Sequence, residues 1–346
     1  MFKLMKSVVL FLLIIGCKNA ISQKSLVTNN KTKVIGEERI WSLDWSPNGK
    51  YIAFGNVSGL LWIYDADDLT LVRILKGFKH TINGISWSPD NKKIVASGSS
   101  DDPRVIIWDL EQNTSIIIED HKRQVRAVQW SPKGTYFASS SHDGTIRIWN
   151  SDGEFVKKFK GAHGGCVGID WLNEEELAAS CWDNTIRTYS LKEGAVRILE
   201  NGNHRKKAVL SIDWHPDGTL FATGDYGNEN DTLHTVKLWT RAGELKKQMN
   251  SHKKEVRALA WNFKGDFLAT GGETVRIWDK EGGLLKVFNK NESPVWSLDW
   301  DKRGTKIASG HNDGVVRVWN LNGELLGSID TRLEGFKKHT PKILHK

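Results

Sequence analysis

His121, Ser139 and Asp143 place an imidazole, a hydroxyl and a carboxylate within one short stretch of the chain. Those are the groups of a nucleophile, its general base and the acid that orients the base, so the set taken alone points to acyl transfer. It does not stand alone. His80, Ser97 and Asp102 repeat it one period earlier, and Ser309 with Asp313 repeats its second half near the end of the chain. An enzyme needs one such set, so recurrence assigns it to architecture rather than catalysis. Asp225, Glu229, Asp231 and His234 form an unrepeated cluster in the irregular stretch GDYGNENDTLH. A hydrolase or lyase would find its acid/base groups there, but the Gly, Asn and Asp content also describes a protruding polar turn. The turn is the reading adopted. No Cys/His spacing matches a zinc site. The expectation is a protein with no catalytic residue, no metal and no cofactor.

The elements that must position these groups are short strands. Residues 121–150, HKRQVRAVQWSPKGTYFASSSHDGTIRIWN, hold three apolar-alternating runs, RAVQW, YFASS and TIRIWN. They are divided by Ser131-Pro132-Lys133-Gly134 and His142-Asp143-Gly144. Period-two alternation of aromatic and β-branched residues describes half-buried strands, and Pro-Lys-Gly and Asp-Gly are turn chemistry. EFVKKFKG supplies a fourth run after Ser151-Asp152-Gly153. A four-stranded sheet has two apolar faces and cannot bury both without neighbours. The neighbours are present. The aromatic that ends the first run recurs as Trp45, Trp87, Trp130, Trp171, Trp214, Trp261 and Trp300, at spacings of 42, 43, 41, 43, 47 and 39 residues. The one that ends the third run recurs as Tyr64, Trp108, Trp149, Tyr189, Trp239, Trp278 and Trp319. Four-stranded units at such a period are blades that stack radially into a propeller.

With these residues the chain resembles the WD-repeat β-propeller family over residues 34–330. The resemblance implies an all-β fold of seven blades, each of four antiparallel strands. In that family a His ahead of the first strand, a hydroxyl in the second, an Asp in the following turn and a Trp in the third form a hydrogen-bonded network. Carried over, the network is His121, Ser139, Asp143 and Trp149 in the third unit, and His80, Ser97, Asp102 and Trp108 in the second. The seventh has Ser309, Asp313 and Trp319, with Asn291 and Glu292 where the His belongs. The sixth has His252, Thr270 and Trp278 with a turn too short for the Asp, and the fourth keeps His163 and Asp183 but uses Tyr189. The last blade of the family commonly takes its outer strand from the N-terminus. Lys33-Val34-Ile35-Gly36 is the preferred donor here, over the C-terminal run ELLGSI at 324–329.

The chain has sixteen Trp. Seven end first strands and five end third strands, which leaves Trp41, Trp62, Trp182 and Trp296. The family's binding face is formed by first-strand starts and the turns between second and third strands. Four positions before each first-strand Trp, on the same side by alternation, stand Trp41, Asn83, Arg126, Val167, Leu210, Arg257 and Trp296. Beside the network Asp, on the same rim, stand His142, Trp182 and Asn312. Trp and Arg dominate binding hot spots. The expectation is a partner-binding mouth of Trp41, Arg126, His142, Trp182, Arg257, Trp296 and Asn312. Trp41 and Trp296 would pack apolar groups there, and Arg126 and Arg257 would pair with a carboxylate. The alternative is that these Trp plug the channel against their own neighbours.

Residues 1–16 carry Lys3 and Lys6 ahead of an apolar run from Val8 to Ile15. That is the pattern of a secretory signal, too short to span a bilayer comfortably. Ile14-Ile15-Gly16-Cys17 resembles the bacterial lipoprotein box, which makes Cys17 the lipidated first residue of the mature chain. Cleavage after Ala20-Ile21-Ser22 and a retained anchor or cytosolic chain are the alternatives, and in a eukaryote the lipobox reading fails. Residues 17–33 read as a polar tether with a reach of about 20–25 Å, and 331–346 as a basic tail. Cys166 and Cys181 could face each other across a strand pair, where an oxidising compartment would permit a disulfide. Two small buried thiols are the preferred reading.

The net charge is +8, and without residues 1–16, which hold Lys3 and Lys6, it is +6. That is mild, and with no aromatic-basic motif, nucleic-acid binding is not expected. The sequence thus describes a monomeric, non-enzymatic scaffold for a protein or peptide partner. It is exported and anchored to a membrane through Cys17 if bacterial, and otherwise secreted or cytoplasmic. The alternatives are a propeller-borne hydrolase or lyase and a cytosolic scaffold subunit of a eukaryotic complex.

Overall fold

The computed structural model describes residues 39–334 except 195, 202–207, 228–233 and 289–292. Within them the chain folds into seven four-stranded antiparallel sheets, and in each the spatial order of strands is their order in sequence. The first blade is Ile40–Trp45, Tyr51–Asn56, Leu60–Asp65 and Leu71–Lys76. The others span 82–118, 125–160, 166–200, 209–252, 258–287 and 295–330. First strands line the centre and meet one another around the ring, with the seventh against the first.

Burial explains why no blade stands alone. Ala53 and Ile63 of the first blade pack with Ile82, Ile94 and Trp108 of the second. Ile40, Trp45 and Phe54 pack with Ala308, Val316 and Val318 of the seventh. Each blade boundary carries such an apolar cluster, so the hydrophobic term stabilises the stack rather than the single sheet.

Two expectations about covalent and chain closure are corrected. The outer strand of the seventh blade is Leu325–Asp330, paired along Val315–Asn320, so the C-terminal run occupies the position expected for the N-terminal one. The ring closes through side chains: Trp45 N–H donates to Asp299 Oδ2 at 2.7 Å, and the Trp41 and Trp296 rings stand 4.5 Å apart. Cys166 and Cys181 are a disulfide, not two thiols. They are directly opposed in the register of the fourth blade's first two strands, so both side chains leave the pair on the same face. The signal, the tether, Cys17 and the tail beyond residue 334 lie outside the described residues.

The third blade holds the network as expected. His121 contacts Asp143 Oδ2 through Nδ1 and Ser139 Oγ through Nε2, both at 2.8 Å, and Trp149 Nε1–H donates to Ser139 Oγ at 2.9 Å. The second blade does not. His80 is exposed, and Phe78 lies 6.0 Å from the Trp108 ring. Lys79 N–H donates to Asp102 as Lys122 N–H donates to Asp143, which puts Phe78, not His80, at the position of His121. Trp108 pairs with Ile94 and Trp149 with Phe137, so the hydroxyl position is Ala96. Ser97 is one residue out of phase, on the opposite face, and its Oγ has no partner among the described residues. His163 of the fourth blade is likewise exposed, with Ala162 buried.

The sixth and seventh blades complete the network by substitutions that spacing did not foresee. Glu273, one methylene longer than Asp, reaches across the short turn to His252 Nδ1 at 3.3 Å and accepts from Lys253 N–H at 2.8 Å. In the seventh blade the imidazole comes from the second strand itself: His311 Nε2 meets Ser309 Oγ at 2.8 Å, and its Nδ1 meets the carbonyl oxygen of Ser293.

Candidate functional site at the channel mouth

All seven residues of the predicted ring line a central cavity of about 240 Å³. Strict alternation is not what aims them. In six of the seven blades the residue is the extra one of a β-bulge: Ile40 and Ser42 pair with consecutive residues of the neighbouring strand and leave Trp41 between them, as Val125 and Ala127 leave Arg126 and Val295 and Ser297 leave Trp296. Bulges re-aim a side chain at the rim of a closed sheet. In those six blades they turn one residue toward the axis.

The ring holds two kinds of residue. Asn83, Val167 and Leu210 are buried. The Asn83 side-chain amide donates to the carbonyls of Gly98 and Val125 at 3.0 and 3.1 Å, so it ties the second blade to the third. Trp41, Trp296, Arg126 and Arg257 are half-buried and packed on one another. The Arg126 guanidinium crosses the channel to lie 5.4 Å from the Trp41 ring, and Arg257 lies 4.1 Å from Trp296 and 5.6 Å from Tyr226. Trp41 and Trp296 thus line the cavity and also pack on each other and on the two Arg side chains.

His142, Trp182 and Asn312 stand on the rim. Trp296 Nε1–H donates to Asn312 Oδ1 at 3.2 Å, and Trp182 Nε1–H donates to His142 Nε2 at 3.0 Å. Tyr226 joins them 6.1 Å from Trp182. It occupies the turn position of His142, as the matching backbone bonds of Tyr226 to Ala208 and His142 to Gln124 establish, but the insertion after it hides the equivalence in the sequence. Trp182 and Tyr226 are 36% and 38% exposed, a solvent-facing aromatic step between blades four and five.

Charge sets the character of the mouth. Burial, then the facing Arg257, lowers Arg126 to about 10. Burial, then Arg126 and Arg123, lowers His142 to about 4, so that imidazole is neutral in ordinary buffers. Of the acid/base cluster in the fifth blade, Asp225 is buried and accepts from the backbone N–H and the hydroxyl of Thr235. Glu229 and Asp231 lie outside the described residues.

A deeper tier was missed. Asp44, Asp170, Asp213 and Asp299 each precede a first-strand Trp and line the same cavity. Each accepts the backbone N–H of a Trp in the following blade: Trp87, Trp214, Trp261 and Trp45 donate at 2.6–2.7 Å. Asp44 pairs with Asp299 and Asp170 with Asp213. Burial, then the facing acid, holds Asp44 and Asp213 well above the usual carboxylate range, and burial raises Asp299 and Asp170 to about 6. The dipeptide Asp-Trp, recurring in four repeats, was the available signal.

A family model described as "WD domain, G-beta repeat" matches residues 29–65, 69–109, 112–150, 196–240, 243–279 and 282–320. The stretch it passes over holds the first three strands of the fourth blade, where Ala162, Ala179 and Tyr189 replace the His, the hydroxyl and the Trp. Among curated proteins, the chain is similar to F-box-like/WD repeat-containing protein TBL1X of Mus musculus, 29% identical over 49% of this chain and 26% of that protein. It is also similar to the WD repeat-containing protein WDS homolog of Arabidopsis thaliana, 23% identical over 69% and 46%, and to polyadenylation factor subunit 2 of Neurospora crassa, 26% identical over 57% and 29%. The match spans less than half the length of each of these relatives.

Proposed function

The chain belongs to the WD-repeat family, and from that premise we propose that it is a non-enzymatic scaffold that holds a protein or peptide partner at its channel mouth. The observation that carries this reading is the continuous band from His142 through Trp182, Tyr226, Arg257, Trp296 and Trp41 to Arg126, drawn from six blades. Aromatic and Arg side chains held rigid against one another lose little entropy on binding, which is why they concentrate affinity. Polar rim groups around such a patch fix orientation.

The partner meets the molecule outside the cytosol. If the chain is bacterial, a lipid on Cys17 anchors the propeller to a membrane, and the Cys166–Cys181 disulfide supports an oxidising compartment. Mass spectrometry of the mature N-terminus checks the anchor: an acylated Cys17 is expected, and a retained Met1 would remove the lipid anchor and leave a retained anchor or a cytosolic chain.

The mouth is tested by capture from the membrane fraction with wild type and the double variant Trp41→Asp/Trp296→Asp, both first shown to melt alike. Partners lost only from the variant are expected. Identical partner sets would move the site to the outer rim.

A further inference from the structure

We propose that the mouth seats one carboxylate of its partner, a free C-terminus or an acidic side chain, between the guanidiniums of Arg126 and Arg257. This rests on the reading of the mouth as the binding site and names the chemistry it recognises. Arg104, Arg187, Arg276 and Arg317 each hold a carboxylate of their own blade at 2.6–2.8 Å. Arg126 has no ion pair among the described residues, and Arg257 reaches Glu255 only at 3.8 Å. The two come from the third and sixth blades and repel each other across the channel. Like charges enclosed together raise the energy of the unliganded mouth, and a shared anion removes that cost.

Donors are ready as well. Arg126 Nε and Trp41 Nε1 are enclosed and donate to nothing among the described residues. Both belong to the stacked pair over the cavity. An enclosed donor without an acceptor is expensive, so an acceptor that reaches these two atoms gains by satisfying them. A cationic ligand is disfavoured because Arg126 and Arg257 already lie against the Trp41 and Trp296 faces that would attract it.

A single negative charge is favoured over a phosphoryl dianion by the tier below. Asp44, Asp170, Asp213 and Asp299 stand three residues along the strands from the ring, roughly 10 Å deeper at the usual rise, and their field opposes a second negative charge. A planar carboxylate suits a guanidinium fork.

The test titrates the full-length protein at constant ionic strength with N-acetylglycine, N-acetylaspartate amide, N-acetylglycinamide and inorganic phosphate. The readouts are Trp fluorescence and the titration of His142 by NMR. A saturable response to one or both carboxylates is expected, the tighter naming the source, with none to the neutral amide. Occupancy should raise the His142 pKa because it neutralises Arg126. Arg126→Gln and Arg257→Gln should each weaken binding at least tenfold, and Arg126→Lys should restore part of it. If one Gln variant fails to fold, the other carries the comparison. No saturation by either carboxylate, an equal response to the amide, tighter binding of phosphate, or unchanged affinity in both Gln variants would overturn the proposal. A captured partner that N-acetylglycine and N-acetylaspartate amide both fail to displace would leave the mouth as the partner site and remove the carboxylate from it.

Discussion

Phe78 and Ala96 replace the His and hydroxyl of the network together, and that pairing is informative. Either polar residue alone would leave a buried group short of a partner, at about 1–3 kcal/mol, whereas replacing both by apolar groups restores a satisfied core. Phe78→His should therefore cost about 1–3 kcal/mol, because its Nε2 would find no hydroxyl at position 96. Adding Ala96→Ser should recover much of that loss, since the new hydroxyl also accepts from Trp108. Urea unfolding of both single variants and the double variant measures the coupling, about 1–2 kcal/mol expected. Additivity would mean the second blade cannot host the network. Trp149→Ala, in the intact third blade, should cost about 3–5 kcal/mol. His80 and Ser97 misled because residue type outweighed phase in reading the sequence: each lies within two residues of the correct position, and in a strand one residue changes the face.

At the scale of the strand pair, the fourth blade departs from blades three and five beside it. It lacks the hydroxyl and the Trp, with Ala179 and Tyr189 in their places, and it alone carries a disulfide among the described residues. The bond joins residues 15 apart, and a loop of that size restricts the unfolded chain by about 3 kcal/mol. We expect Cys166→Ala/Cys181→Ala to lower stability by about 2–3 kcal/mol. Reductant should lower the thermal midpoint of wild type and leave the variant unchanged. A midpoint indifferent to reductant in both would show that the bond adds nothing to the paired strands. Blade number, strand phase and the mouth ring were legible, because a period-two pattern ending in an aromatic repeats seven times. The disulfide was not, because two Cys in adjacent strands read equally as buried thiols until register sets them opposite. The bulges were hidden for a similar reason: an extra residue in one strand leaves no mark in a single sequence, and Trp41, Arg126 and Trp296 fall on the correct side by either count.

At the scale of the whole ring, the channel is polarised, with guanidiniums at the mouth and two carboxyl pairs below. The pairs bridge two boundaries, Asp299 with Asp44 between blades seven and one, and Asp170 with Asp213 between blades four and five. Each acid holds the next blade through a Trp N–H, so the pairs sit where the blades are tied together. Two carboxyl groups in contact cannot both be ionised cheaply, and each pair titrates as a unit that keeps one proton. The folded-state values lie above the unfolded value of 3.8, with Asp170 and Asp299 raised to about 6 and Asp44 and Asp213 also raised well above it. A raised carboxyl contributes its full stability below the unfolded value and loses it as pH rises through the folded one. The ring should therefore be tighter near pH 4 than near pH 8 at these boundaries, opposite in sign to blade three. There burial works against ionisation, but hydrogen bonds from His121 and Thr145 hold Asp143 far below the usual range, and its contribution is lost on acidification. Asp213→Asn separates the two. The amide still accepts from Trp261 and donates to Asp170, doing the work of the shared proton without titrating. Relative to wild type, the variant should gain about 1–3 kcal/mol between pH 4 and pH 8, read by urea unfolding at each pH. Parallel profiles would show that the pair holds no proton in that window, and that the ring is tied at this boundary by apolar packing alone.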